Sequence, residues 1–230
     1  MPERKGGTLI LTMLRRHIAR LVRPLRFAWY GSRFCTPGEF VYEGQPYQYL
    51  YHHYNHTYTN ERAVELPIVM AVLDAHSGMR VLEAGNVLSH YMDVDHEIVD
   101  KYEAAEDVIN EDIVDFSAVE PYDLIVSIST LEHVGWDEEP RDPGKPFRAV
   151  VRLKELLAPR GLLIITVPFG QNPHVDRMMR ENEAGFHRID FMQRDEGRMS
   201  WRQLDEDEVR WSSPNIVCIA TYQKHTMSDQ

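Results

Sequence analysis

Five residues have the types and the spacing to do chemistry together. Glu83, Asp100 and Asp112 fall at or just after three short apolar runs, RVLEA (80–84), HEIVD (96–100) and DVIN (107–110). The pair Glu132–His133 follows a fourth run, YDLIVSI (122–128). Carboxylates are hydrogen-bond acceptors for hydroxyl and amine groups, and a histidine can take a proton near neutral pH. Plainer roles are open to two of the acids: Glu83 could cap the turn that follows it, and Asp112 could be an ordinary helix cap. Asp100, closing an apolar run, is the hardest to explain as scaffold.

These residues need a frame that brings them together. The apolar runs are continuous rather than alternating, as in strands covered on both faces of a parallel sheet, and GLLIITV (161–167) and NIVCIAT (215–221) extend the series. Between the fourth and fifth runs, FRAVVRLKELL carries Ala149, Val150, Leu153, Leu156 and Leu157 on one face, a crossover helix that Gly161 is expected to end. The fold class that follows is α/β: a Rossmann-like doubly wound, mostly parallel sheet, whose ligands lie at the carboxyl ends of the strands. There, a carboxylate after the second strand can accept two hydroxyl hydrogens from a ribose, and one after the third an exocyclic amine. That describes an adenosine site. Gly85 would let the ligand approach the backbone.

The segments VLEAGN, HEIVDKYE, NEDIVDF, YDLIVSISTLEHVG and LLAPRGLLIITVP, in this order, resemble the successive motifs of class I S-adenosylmethionine-dependent methyltransferases. The resemblance spans roughly residues 60–170, with a weaker tail to 223. It implies S-adenosyl-L-methionine as cofactor. Glu83, Gly85 and Asn86 would lie along its methionine part, and Asp100, with Lys101 beside it, at the ribose. Asp112 and the backbone of Ile113 would hold the adenine, with Ser127 under the methionyl end. The sequence departs from the pattern in its glycine-rich turn, reduced to Gly85 followed by Asn86, Val87, Leu88 and Ser89. The crossover left for residues 85–95 is short, so its helix must be short or irregular. The same departure weighs against NAD, whose pyrophosphate needs a glycine-rich turn opening a helix; a sulfonium cofactor has no phosphate to satisfy.

Methyl transfer from a sulfonium is an in-line displacement that needs an aligned acceptor and, for an alcohol, a base. Glu132 and His133 are placed to face the methyl group, with His133 either the base or a hydrogen-bonded wall residue. The Glu-His pair also resembles the metal-binding element of ubiquinone-pathway O-methyltransferases and of small-RNA 3′-terminal methyltransferases. Those carry another glutamate three residues earlier, where this chain has Ser129. His174 or His187 are the candidates to complete a site for a divalent cation such as Mg²⁺. The segment WDEEPRDPGKP (136–146) reads as an exposed loop over the acceptor, with Asp137, Glu138 and Lys145 either contacting polyhydroxy groups or simply solvated. Tyr51, His52, His53 and Tyr54 either cover the cofactor from the other side or simply pack, and Arg62 could pair with its carboxylate. The expected activity is O-methylation of a sugar or glycosidic hydroxyl. The alternatives are O- or N-methylation of a small aromatic metabolite, and a non-catalytic cofactor-binding partner module.

The 230 residues, 43% hydrophobic, suffice for one core. The expected organisation is an arm and covering loop over 1–59 and a methyltransferase domain over 60–230. Net charge is −11, yet residues 1–33 hold eight Lys/Arg against the single acid Glu3. The rest of the chain is therefore strongly acidic and would repel a phosphate backbone, which disfavours general nucleic-acid binding. Leu11, Leu14, Ile18, Leu21, Val22 and Leu25 give the arm an apolar stripe between arginines, with Pro24 limiting it. Such a helix can contact an anionic membrane or glycolipid, serve as an Arg-rich transit peptide, or pack on its own domain or on a second subunit of a homodimer. TLILTML is too short for a cleavable signal peptide and no A-x-A-like site follows. Residues 36–59 read as a covering loop, and NERAVELPIVMAVLDAH as a helix with Asn60 as N-cap. Cys35 and Cys218 match no metal or redox spacing, and no apolar run approaches membrane-spanning length. The expected location is the cytoplasm, with membrane association through the arm.

Overall fold

The computed structural model describes residues 38–195, 200–209 and 215–225. The basic arm and Cys35 lie outside the described residues. The chain runs through a hairpin, β1 (Glu39–Tyr42) and β2 (Gln45–Gln48), into helix α1 (Arg62–Ala75). Four strands follow: β3 (Val81–Ala84), β4 (Glu97–Val99), β5 (Val108–Ile109) and β6 (Tyr122–Ile128). Helix α2 (Lys145–Leu156) leads into β7 (Leu157–Pro168), and α3 (Pro173–Arg180) precedes β8 (Arg188–Arg194), β9 (Trp201–Leu204) and β10 (Ile216–Gln223).

The large sheet has the order β5-β4-β3-β6-β7-β10-β8-β9. The first five strands are parallel, while β10 runs antiparallel to both β7 and β8. The strand order reverses beside β3, where chain order runs outward to β4 and β5 on one side and to β6 and β7 on the other. In open α/β sheets that is where ligands bind. The fold is thus the expected doubly wound, mostly parallel sheet.

Residue alternation along β6 shows why both faces are covered. Leu124, Val126 and Ile128 pack with Val64, Leu66, Ile68 and Val69 of α1, and with Phe40 and Tyr42 of the hairpin. Ile125 faces the other way, toward Ala149, Val150 and Leu153 of α2 and Val175 and Met178 of α3. Each fully buried Leu, Ile or Val contributes about 1.5–3 kcal/mol through the area it removes from water.

Three local expectations need correction. Residues 36–59 are not simply a loop: Glu43 and Gly44, at φ of 54° and 73°, make a tight turn between β1 and β2. Its Phe40 and Tyr42 belong to the core. Gly161 does not end α2, which stops at Leu156 and passes directly into β7. Gly161 lies inside that strand, where a Cβ would sit 2.9 Å from the carbonyl oxygens of both Ala158 and Tyr122. Helix α1 starts two residues after Asn60, although the Asn60 Oδ1 does accept the Arg62 backbone N–H at 3.2 Å. The crossover from β3 to β4 holds one short 3₁₀ turn, Leu88–His90, in keeping with its length. Among the described residues no helix is long and apolar enough to cross a membrane.

Candidate active site

The carboxyl ends of β3, β4, β5 and β6 border one cavity of about 690 Å³. Its walls include Gly85 and Asn86 after β3, Asp100 and Lys101 after β4, and Asp112 and Ile113 after β5. Ser127 on β6 and the stretch Ser129, Thr130, Leu131 and His133 complete it. The volume falls within the usual range for a small-molecule or cofactor site. Every predicted cofactor residue except Glu83 lies on this wall.

Glu83 works from behind it. Its side chain is fully buried, and Oε1 accepts the backbone N–H groups of Val87 at 2.8 Å and Leu88 at 2.9 Å. Oε2 meets His96 Nε2 at 3.0 Å. The carboxylate therefore holds the turn after β3 in shape, the capping role that was open to it from sequence. Gly85, at φ +91°, also has a reason other than a ligand: a Cβ there would lie 2.1 Å from Thr130 Oγ1. The loop after β6 thus packs on the turn after β3.

Asp100 ties three backbone groups. Oδ1 accepts the N–H of Tyr102 at 2.8 Å and of Glu103 at 2.7 Å, and Oδ2 accepts Asn86 N–H at 3.1 Å. A carboxylate offers about four acceptor positions, so Oδ2 retains capacity for a hydroxyl at the cavity wall. Asp112 is more heavily engaged. Its Oδ2 lies 2.9 Å from Lys101 Nζ and 2.5 Å from Lys145 Nζ, and its Oδ1 accepts Val114 N–H at 3.2 Å. Glu138 closes the network, with Oε2 at 2.8 Å from Lys101 and 2.6 Å from Lys145. Burial opposes ionisation of Asp112 and Glu138, but the lysine hydrogen bonds outweigh it and hold both carboxyls below their ordinary range. Four charges from four segments form a neutral clasp that ties the loop after β6 to the ends of β4 and β5. Lys145 and Glu138, for which sequence left acceptor contact and simple solvation open, sit in this clasp.

At the other end of the cavity the chain leaves β6 through Ser129, held at φ +38°, a strained conformation of the kind that clusters at functional sites. Ser129 Oγ donates to Glu65 Oε1 at 2.7 Å, and Arg62 donates to Glu65 Oε2 at 2.7 Å. Arg62 is thereby drawn to its own helix, not toward a cofactor carboxylate. Glu132 is buried beside this group, and its Oε2 has no hydrogen-bond partner among the described residues. Burial, and then the charge of Glu65, push the Glu132 carboxyl well above its ordinary range. His133 is half exposed; its Nδ1 lies 2.6 Å from Asp137 Oδ2 and its Nε2 3.7 Å from Glu132 Oε1. Across the turn after β3, His52 meets the Tyr91 ring at 5.2 Å and Tyr54 stacks on His90 at 4.5 Å. These contacts form an aromatic cluster beside the turn, and neither it nor Tyr51, His53 and Arg62 lines the cavity.

The metal candidates do not assemble. His187 precedes β8, and its Nε2 lies 3.0 Å from His225 Nε2. It is thus at the amino ends of the parallel strands, away from the cavity, because Arg188 pairs with Thr221 and Tyr222 with Leu163 near the start of the long run of β7. His174 packs edge-on to Trp136 at 5.8 Å. Among the described residues no group of three His, Cys, Asp or Glu side chains is arranged to hold a metal ion. With His187 at the opposite ends of the strands and His174 packed on Trp136, the residues present do not fit a divalent cation.

Sequence reading missed Glu65, Thr130 and the clasp. Glu65 had a signal, a carboxylate inside the otherwise apolar stretch AVELPIV; the clasp had none, since its members are far apart in the chain.

No family model matches the chain, and no curated protein matches it in sequence. Solved structures of similar architecture include the N-methyltransferase NodS from Bradyrhizobium japonicum in complex with S-adenosyl-L-homocysteine. It is 14% identical, with 71% of this chain and 87% of that one covered and a TM-score of 0.46. The 1,6-didemethyltoxoflavin-N1-methyltransferase of Burkholderia thailandensis is 16% identical over 83% of this chain and 99% of that one, with a TM-score of 0.45. A SAM-dependent methyltransferase from Thermotoga maritima is 15% identical over 69% and 88%, at a TM-score of 0.43. All three likenesses are remote. The strand order and register of this chain define a Rossmann-like doubly wound fold on their own.

Proposed function

We propose that the chain is an S-adenosylmethionine-dependent methyltransferase that methylates a hydroxyl on a sugar or glycosidic acceptor. The observation that carries this reading is the convergence of four successive strand ends on one cavity, with Asp100 on its wall at the end of β4 and His133 at its far end. Asp100 Oδ2 would take a ribose hydroxyl, Asn86 and Ser127 would flank the methionyl part, and Ile113 with Asp112 would border the adenine. The bound cofactor supplies an electrophilic methyl group. The chain's own residues exclude water from one face, align the acceptor oxygen and take its proton at His133. The turn after β3 faces no pyrophosphate-binding helix, since Leu88–His90 is a single short turn; this favours S-adenosylmethionine over NAD.

The acidic body and the polar loop carrying Asp137 support a neutral polyhydroxy acceptor over nucleic acid. The apolar side chains of Val87, Leu131 and Val134 on the cavity wall support a second reading, a small aromatic acceptor. Contact of residues 1–33 with a membrane or glycolipid, a cytoplasmic location and a homodimer belong to the proposal too. The test is a radiolabelled methyl-transfer screen with sugars, glycolipids and phenols. Label in a sugar or glycolipid supports the first reading, and label only in phenols supports the second. A protein that binds the cofactor but labels nothing across a broad panel would count as a binding module.

A further inference from the structure

We infer that Asp137 is the positioning residue that fixes the His133 ring so that Nε2 is left as the base for a hydroxyl acceptor, an inference that rests on the methyltransferase reading. Asp137 Oδ2 lies 2.6 Å from His133 Nδ1. A carboxylate only accepts, so Nδ1 carries the hydrogen and Nε2 keeps its lone pair. That lone pair is unspent: the nearest acid, Glu132 Oε1, is 3.7 Å from Nε2, beyond hydrogen-bond reach. His133 is on the cavity wall, beside Thr130 and Leu131.

The backbone sets this geometry. The N–H groups of Trp136 and Asp137 both point to the His133 carbonyl at 3.1 Å, a single helical turn that places residues i and i+4 on one face. Gly135, at φ +70°, donates its N–H to Glu138 Oε1 at 3.1 Å, so the turn is anchored to the clasp through Glu138. The groups facing His133 are Asp137 and Glu132 from its own loop, with Glu61, just before α1, and Arg62 and Glu65 of α1 behind Glu132. Two carboxyls therefore flank one imidazole in different environments. Asp137 is in water and engages Nδ1, whereas Glu132 is enclosed and lies off the ring nitrogen. Such a division sets distinct roles for the two groups.

The step balances without a further reactant. The acceptor oxygen bonds to the methyl carbon as the carbon–sulfur bond breaks, its electron pair going to sulfur. The hydroxyl proton passes to Nε2. Asp137 stabilises the resulting imidazolium, which returns its proton to water.

An exposed ion pair adds little to folding, so Asp137→Ala should leave the thermal midpoint unchanged while altering the ring. Nitrogen-15 spectra of the histidine rings, recorded on the full chain above the histidine titration with His133 assigned through His133→Gln, read the tautomer directly. The expected result is the Nδ1–H form in the parent protein and its loss in Asp137→Ala. In turnover, kcat of Asp137→Ala should fall about 10- to 100-fold, with affinity for S-adenosylhomocysteine unchanged and Asp137→Glu recovering most of the rate. An Nε2–H tautomer in the parent protein, or an unchanged tautomer and kcat in Asp137→Ala, would overturn the inference. The ring spectra need no substrate, so they separate failure of this inference from failure of the methyltransferase reading, which cofactor binding tests.

Discussion

Two buried glutamates stand behind the two loops that border the cavity, and they are treated in opposite ways. Behind the turn after β3, Glu83 spends both oxygens, on the N–H groups of Val87 and Leu88 and on His96. Behind the loop after β6, Glu132 leaves Oε2 without a partner among the described residues, and its neighbour His133 lies on the cavity wall. A buried carboxylate with both oxygens bonded is a strut; one with an oxygen left unbonded is a cost that a folded protein keeps where something else is gained. Under the proposed function the first loop would be scaffold for the bound cofactor and the second the side where the proton is taken.

The largest effect should come from breaking the strut. Glu83→Ala strands two backbone donors and His96, and is expected to cost about 3–5 kcal/mol in urea unfolding. A loss under about 1 kcal/mol would put Glu83 outside the turn's support. The clasp sharpens the contrast from the other side. Lys145→Met leaves Asp112 and Glu138 sharing Lys101 alone, and should weaken S-adenosylhomocysteine binding about fivefold, ~1 kcal/mol. Calorimetry at two salt concentrations checks it, and equal affinity in both proteins would detach the clasp from the cavity.

The smallest effect concerns Glu132 and is one of pH. Because burial holds its carboxyl above the ordinary range, the native state binds more protons than the unfolded state between the two pKa values. Stability then falls as pH rises through that window. Glu132→Gln removes this uptake, so thermal midpoints compared from about pH 5 to about pH 8 should show the variant gaining on the parent as pH rises. A constant difference would mean that Glu132 is ionised in the native protein.

How much of this was legible in the sequence follows from the range of each interaction. YDLIVSI is a strand from Tyr122 to Ile128, as read, because a continuous apolar run covered on both faces is a local signature. Asp100 and Asp112 were placed because strand ends converge by topology. Glu83 was ambiguous, since whether a carboxylate faces the ligand or its own turn depends on atoms four and five residues ahead. The β1–β2 hairpin was missed because its tyrosines and polar residues lack a clean period, although Phe40 and Tyr42 find partners in α1 and the sheet. The Lys101–Asp112–Glu138–Lys145 clasp joins segments that only the folded sheet brings together.

If the strand ends shape a pocket for the S-adenosyl cofactor and not for a dinucleotide, calorimetry with S-adenosylhomocysteine and with NAD, on the parent protein and Asp100→Ala, will show it. The parent is expected to bind S-adenosylhomocysteine and not NAD, and Asp100→Ala to bind it at least about tenfold more weakly, ~1.4 kcal/mol. Binding of NAD without S-adenosylhomocysteine, or the same affinity in both proteins, would contradict it.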